Sequence, residues 1–312
     1  MYKHLFGPVP SRRLGMSLGV DLIPQKICSL NCIYCECGST TRLTLERKEY
    51  TPVDEVLEEL SHFFDHHPDP HYVTFSGAGE PVLHSGIGKV IGFIKKLRPE
   101  LPVAILTNGT LLSDPGVRAD IMQADLVMPS LDAATELAFR KINRPLKETS
   151  IELYLKGLID FGREFQGNIW LEVLILPGYN DDSENLDALR KALVQVRTDK
   201  IQLNTLDRPG TIKGLVPASW DFLEGVAAKW KMDHVEIIAP PEILRGSASY
   251  REDLEGAILE IISRRPSTLE DLEKVLGLHV NEINKYLGVL EETGRIETTH
   301  LGRGTFYQLR KD

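Results

Sequence analysis

Cys28-Ser29-Leu30-Asn31-Cys32-Ile33-Tyr34-Cys35 is the stretch from which the rest of this 312-residue chain is read. Together with Cys37 it holds all four cysteines of the protein within ten residues. A disulfide framework spreads its cysteines to close long loops, and this spacing does not. In a reducing compartment, thiols crowded this closely form a metal site. Three thiolates from one short loop can ligate three irons of a cubane and leave the fourth iron open to a substrate or cofactor. The other reading is a zinc knuckle. Structural zinc takes four protein ligands, and Cys37 would supply the fourth, although Cys35-Glu36-Cys37 is a tight spacing for tetrahedral closure.

The loop follows a short apolar run at 18–23, and similar runs recur at 72–75, 103–106, 126–128, 169–176 and 201–203. Amphipathic stretches lie between them. Val53, Val56, Leu57, Leu60 and Phe64 share one helical face. Thr51 stands where it would cap that helix, with Pro52 at its first position. Strand–helix alternation of this kind predicts βαβ units and a parallel sheet. About six units fit before Ser247, fewer than an eight-fold barrel needs. The expected fold is therefore α/β, a partial (β/α)6 TIM-type barrel over 1–247.

The pattern changes after Tyr250. Leu254, Ile258 and Ile261 make one helix stripe, stopped by Arg265-Pro266. Ser267 or Thr268, with Glu270 or Asp271 three residues on, opens a second short helix. Val280, Ile283, Leu287 and Leu290 give a third, ending near Gly294. Runs at 296–299 and 306–309 flank Gly302-Arg303-Gly304 as a hairpin. Three helices and a hairpin predict a small winged-helix domain over 248–312.

Lys and Arg number 36 against 45 acids, a net charge of −9, which argues against a generic nucleic-acid binder. No run of eighteen apolar residues and no signal-like start is present, so a cytoplasmic protein without membrane partners is expected. No Walker loop, HExxH stretch or Ser–His–Asp order supports hydrolytic or phosphoryl chemistry. His66-His67, beside Pro68, reads as an exposed helix end.

Polar motifs close the next predicted strands: Ser76-Gly77-Ala78-Gly79-Glu80-Pro81, then Thr107-Asn108-Gly109, then Ser130-Leu131-Asp132. Strand carboxyl ends are where α/β barrels carry their chemistry. Any one of these is an ordinary turn or cap; the ordered set, with Tyr34 preceding the last loop cysteine, resembles the radical S-adenosylmethionine (SAM) superfamily. The resemblance implies a [4Fe-4S] cluster on Cys28, Cys32 and Cys35, with Tyr34 beside it. It implies that Gly77, Gly79 and Glu80 hold the SAM amino group, and that Thr107, Asn108, Ser130 and Asp132 contact its ribose and carboxylate. Arg140 or Arg144, the latter preferred, would pair with the carboxylate. Ile175, next to Leu174, would touch the adenine, and Asn204 is a weaker polar candidate. The implied reaction is reductive cleavage of SAM to a 5′-deoxyadenosyl radical that abstracts hydrogen from a substrate. The electron would come from a donor such as ferredoxin or flavodoxin.

A closer resemblance runs through Gly7-Pro8-Val9-Pro10-Ser11-Arg12-Arg13-Leu14-Gly15-Met16-Ser17-Leu18-Gly19-Val20-Asp21 and Pro177-Gly178-Tyr179-Asn180-Asp181. These are similar to an Fe–S oxidoreductase branch grouped with the radical SAM enzyme of wybutosine biosynthesis. That enzyme carries a second cluster, for which this chain has only Cys37 left, so its radical-loop and lysine chemistry is not carried over. The substrate class stays open among peptide, protein and RNA.

A winged helix suggests DNA binding through its third helix. Residues 251–312 hold nine Lys and Arg against twelve acids, and the third helix contributes Glu282, Lys285, Glu291 and Glu292. Such a face repels phosphate, which favours a structural or peptide-facing module over a DNA reader, Arg303 notwithstanding. The alternative as a whole is an Fe–S redox-sensing DNA-binding regulator, which would need no SAM pocket; a recruiting scaffold is a third reading. Around the cluster loop, Lys3, Arg12, Arg13, Lys26, Arg42, Arg47 and Lys48 outnumber Asp21, Glu36, Glu46 and Glu49. That excess predicts a positive rim or a solvated loop. Since the strand ends carry every implied SAM contact, that chemistry is expected not to need the C-terminal part.

Overall fold

The computed structural model describes residues 2–11, 13–24, 26–206, 210–212, 214–238, 252–264, 266–276, 278–301 and 304–310. The expected boundary near 248, with Ser247 and Tyr250, lies outside them, as do Arg12, Arg265, Gly302 and Arg303. Strands of the main sheet are β1 (Leu5–Ser11), β2 (Gly15–Val20), β3 (Tyr72–Phe75), β4 (Val103–Thr107), β5 (Leu126–Pro129), β6 (Asn168–Leu174), β7 (Lys200–Asn204) and β8 (Val235–Ile237). The helices between them are α1 (Val53–His66), α2 (Ile87–Leu97), α3 (Pro115–Asp120), α4 (Glu136–Ile142), α5 (Ile151–Glu164), α6 (Ser183–Leu193) and α7 (Trp220–Trp230). Spatial order follows chain order, and all neighbours from β2 to β8 are parallel. Every crossover therefore advances the sheet by one strand, which brings successive strand ends side by side along one rim.

All six strands expected from the apolar runs are present. Two edge strands were not anticipated. β1 pairs antiparallel to β2, and its Pro8 and Pro10 mask it in the sequence, because proline is tolerated in a sheet at an edge. β8 is three residues long, too short to show a period.

Period two along the strands sorts the side chains into two layers. Val103, Ile105, Val127 and Ile169 pack under the helices with Ile91, Ile94, Leu158 and Phe161. Ala104, Leu126 and Met128 point to the opposite face and meet Leu14, Tyr72, Leu106 and Trp170. Burial on both faces is what a parallel sheet under crossover helices requires. α1 buries Val53, Val56, Leu60 and Phe64 as its spacing predicts and Phe63 besides, while Leu57 is half-buried. The start of α1 is held not by Thr51 but by Glu49, whose carboxylate accepts the Val53 amide at 2.8 Å.

After residue 251 come α8 (Glu252–Arg264), α9 (Leu269–Leu276) and α10 (Val280–Glu292), with strands β9 (Ser267–Thr268), β10 (Ile296–Leu301) and β11 (Gly304–Leu309). β11 lies between β9 and β10 in an antiparallel sheet. The start of α9 is the expected reciprocal cap: Thr268 Oγ1 accepts the Asp271 amide (3.1 Å) and Asp271 accepts that of Thr268 (3.0 Å). Leu254, Ile258, Ile262, Leu272, Ile283, Leu287 and Leu290 form a core separate from the barrel's.

Candidate active site

The cysteine loop is pinned on three sides. Ile27–Cys28 pairs with Arg42–Leu43. The Asn31 and Ile33 amides donate to the carbonyls of Asn143 and Ile142, each at 3.0 Å. From the segment after β7, Thr211 donates its amide to Ile33 O at 2.8 Å, and a Cβ on Gly210 would meet Ile33 O at 2.6 Å. That close approach explains a glycine there.

The four sulfurs fall into two kinds. Three face nitrogen donors: Asn108 Nδ2 to Cys28 Sγ at 3.4 Å, Asn143 Nδ2 to Cys32 Sγ at 3.5 Å, and Lys26 Nζ to Cys35 Sγ at 2.5 Å. Cys37 Sγ faces acceptors instead, Gly77 O at 3.6 Å, Asn281 Oδ1 at 3.7 Å and the sulfur of Cys35. N–H donors suit sulfurs that carry charge as ligands, whereas carbonyl acceptors suit a thiol that keeps its proton. A cluster on Cys28, Cys32 and Cys35 fits this pattern; a zinc site completed by Cys37 does not. No three His, Cys, Asp or Glu side chains among the described residues are grouped to hold a single metal ion.

Without a cluster, the thiols are strongly differentiated. Burial pushes Cys28 up to about 11, with Glu80 adding to it. Burial also drives Cys32 upward. Cys35 is pulled below the ordinary thiol range, first through the hydrogen bond from Cys37 and then through Lys26, against its burial. Burial works to discharge Lys26, but the neighbouring thiols, Cys35 foremost, outweigh it and hold the ammonium.

At the ends of β3 and β4 the motifs interlock through Glu80, which is 3% exposed. Its Oε1 accepts Thr107 Oγ1 (2.5 Å) and the Val82 amide (3.4 Å), and its Oε2 accepts the Asn108 amide (2.7 Å). Burial raises Glu80 to about 7, against these three donors. Gly79 lies so near Ile27 O that a Cβ would stand 2.1 Å away, and Gly77 is equally tight against Asp21. At the end of β5, Asp132 accepts the Tyr34 hydroxyl, Asn143 Nδ2 (2.8 Å) and the Leu174 amide (3.0 Å). Burial raises its pKa in spite of those bonds. The Ser130 carbonyl accepts the Tyr154 hydroxyl.

Cys28, Glu80, Thr107 and Asn108 thus share one hydrogen-bonded set and Tyr34, Asp132, Asn143 and Cys32 a second, on neighbouring strand ends joined by the Ser130 amide on Thr107 O at 3.0 Å. Ile175 sits apart, fully buried in the core with its amide on Asn204 O (2.8 Å). Asn204 turns its own amide oxygen to the Thr205 N–H (2.9 Å). Arg140 is committed locally, to Glu136 (2.6 Å) and to the carbonyls of Leu146 and Thr149. Arg144 is exposed, in a left-handed backbone with φ 49°. Of the positive rim and the solvated loop, the ion pairs of the described cations favour the second. Arg13 pairs with Glu172 (2.6 Å), Arg42 with Glu46 (2.5 Å), Arg47 with Asp120 (2.6 Å) and Lys3 with Glu55 (2.9 Å), while Lys26 turns inward to Cys35. Sequence reasoning passed over Asn143, Tyr154 and Gly210, which no motif marks; the proximity of Asn143 to Arg144 was the available signal.

Residues 22–189 match the sequence profile of the Radical SAM superfamily. The chain belongs to the radical SAM superfamily. A UPF0026 protein of Methanocaldococcus jannaschii is 34% identical over 281 residues, covering 87% of this chain and 85% of that one. A protein named GTPase Obg from Brachyspira hyodysenteriae is 35% identical over 295 residues; the match covers 94% of this chain but 43% of that longer one. Among solved structures, a radical SAM methyltransferase from Sphaerobacter thermophilus shares the fold with a TM-score of 0.53 at 14% identity, over 71% of this chain and 65% of that one. The partial barrel is thus a radical SAM fold, and the superfamily is one of enzymes. No helix of the described residues is long and apolar enough to cross a membrane.

Proposed function

We propose that this radical SAM protein holds a [4Fe-4S] cluster on Cys28, Cys32 and Cys35 and binds SAM across the ends of β3 to β6. The split between sulfurs facing N–H donors and the one facing carbonyls carries this reading. When bound, the cluster supplies the one electron that cleaves SAM to methionine and a 5′-deoxyadenosyl radical for hydrogen abstraction. The protein's part is to place and shield. Asn108, Asn143 and Lys26 stabilise charge on the three ligating sulfurs. Glu80, ionised above its raised pKa, receives the SAM amino group, and the glycines of 77–79 let the backbone approach it. Ser130 and Asp132 stand toward the rest of the amino acid and the ribose. Arg144, whose guanidinium is not committed locally as that of Arg140 is, takes the carboxylate.

The residues after 251 read as a winged-helix module, but not as a DNA reader. A recognition helix offers its first residues to base edges, and here His279, Asn281 and Glu282, at the start of α10, lie against Asp21, Cys37 and Gly7 of the barrel. That placement favours the enzyme over the redox-sensing regulator. A peptide, protein or RNA substrate and a ferredoxin- or flavodoxin-type donor complete the proposal. Anaerobic reconstitution followed by SAM and dithionite tests it: about four irons per chain and release of 5′-deoxyadenosine are expected. Iron uptake without any SAM cleavage would overturn it.

A further inference from the structure

Asp21 lies one residue beyond β2, at the end of the Gly7–Asp21 segment, and no role in the site has been given to it above. Its Oδ1 accepts the Ile23 amide at 3.2 Å, and its Oδ2 accepts the Ala78 amide at 3.2 Å and meets His279 Nε2 at 3.1 Å. The carboxyl presses so closely on the glycine segment that a Cβ on Gly77 would stand 2.1 Å from Oδ1. His279 is the N-cap of α10: its Nδ1 accepts the Asn281 amide at 3.2 Å. That bond places the lone pair on Nδ1 and the proton on Nε2, so Nε2–H donates to Asp21. The ring stacks on Phe6 of β1, with centroids 4.6 Å apart and planes at 15°. The side chains are only 18% and 10% exposed, so little water competes for the bond.

We propose that Asp21 and His279 are positioning residues for SAM, through which the seat of the C-terminal module fixes the segment that receives the amino group. The inference rests on the SAM site proposed above. Gly77-Ala78-Gly79 has no long side chain with which to anchor itself, and glycine leaves its backbone free to wander. Asp21 supplies an anchor at the Ala78 amide, and His279 in turn holds the Asp21 carboxylate from the module's side. Neither residue touches a reacting atom. Because linkage is reciprocal, whatever affinity the seated module gives SAM, bound SAM returns as tighter seating. The C-terminal part is therefore not dispensable for SAM chemistry, contrary to the expectation from strand ends alone.

The test uses the full chain with its cluster reconstituted. His279→Asn keeps a good N-cap but is too short to reach Asp21; Asp21→Asn keeps the size but loses an acceptor; His279→Gln restores a donor at longer reach. Two quantities are read: hydrogen exchange of the Ala78 amide without SAM, and the SAM dissociation constant. Both Asn variants should exchange Ala78 at least about tenfold faster and bind SAM about five- to thirty-fold more weakly, with iron content unchanged and His279→Gln recovering most of the loss. Wild-type values within about twofold in His279→Asn overturn the proposal. So does faster Ala78 exchange with unaltered SAM affinity, which would leave the bond purely structural. A wild-type chain that takes up iron but binds no SAM would sink the SAM site itself, a result distinct from either.

Discussion

Replacing Glu80 by glutamine should move stability and SAM affinity in opposite directions. The Glu80 carboxyl is fully enclosed, and its pKa rises from an ordinary 4.5 to about 7. A folded-state pKa above the unfolded one means that the group's contribution is fully present below about pH 4.5 and is lost as pH rises through about 7. Between pH 5 and pH 8 that loss comes to about 2–3 kcal/mol, most of what the whole shift contributes. Glutamine does not titrate, but it gives up one of the acceptors serving Thr107, Val82 and Asn108, at about 1 kcal/mol. The cluster-free variant should therefore be about 1 kcal/mol less stable than wild type near pH 4.5 and about 2 kcal/mol more stable at pH 8. Urea denaturation of both proteins at several pH values measures this. With the cluster restored, SAM should bind the variant about 30- to 1000-fold more weakly at pH 8, since a buried ammonium loses its counter-charge. Parallel stability curves for the two proteins would refute the assigned ionisation, and unchanged SAM affinity would refute the assigned partner.

Among the cysteines, single alanine replacements of Cys28, Cys32 or Cys35 should abolish iron uptake, while Cys37→Ala should retain it; iron analysis after anaerobic reconstitution decides. Asn143→Ala removes donors from both Asp132 and Cys32 and should cost about 1–3 kcal/mol in denaturant stability; a neutral result would show that water replaces the amide. Gly79→Ala forces a Cβ to 2.1 Å from a backbone carbonyl, so SAM binding should fail while iron uptake survives; normal SAM titration would show that the segment can shift. Duplex DNA should bind weakly and without site preference at physiological salt, and a sequence-specific, oxidation-dependent shift in a gel would revive the regulator.

The cysteine spacing, the strand–helix alternation and the polar strand ends all lie within short windows, where period and spacing report local geometry directly. From those the six central strands and the three C-terminal helices were legible, and the resemblance carried by the same windows singled out the rim residues Cys28, Tyr34, Glu80, Thr107, Asn108 and Asp132. Edge strand β1 was not, because pairing to β2 rather than residue pattern makes it a strand. The resemblance implied which three of the four thiols serve as ligands, but the surroundings that set Cys37 apart were not legible. Cys28 and Cys32 owe their donors to Asn108 and Asn143, 80 and 111 residues away, and Cys37 owes its acceptors to Gly77 and Asn281. Lys26, nine residues before Cys35, was visible but was read as rim charge until the fold turned it inward. The link from Asp21 to His279 spans 258 residues. Such contacts exist only once the sheet has stacked its strand ends along one edge and a second core has come to rest on them. Chain closure over that distance leaves no trace in any local window, so the sequence determined which groups were available and the tertiary structure decided which of them meet.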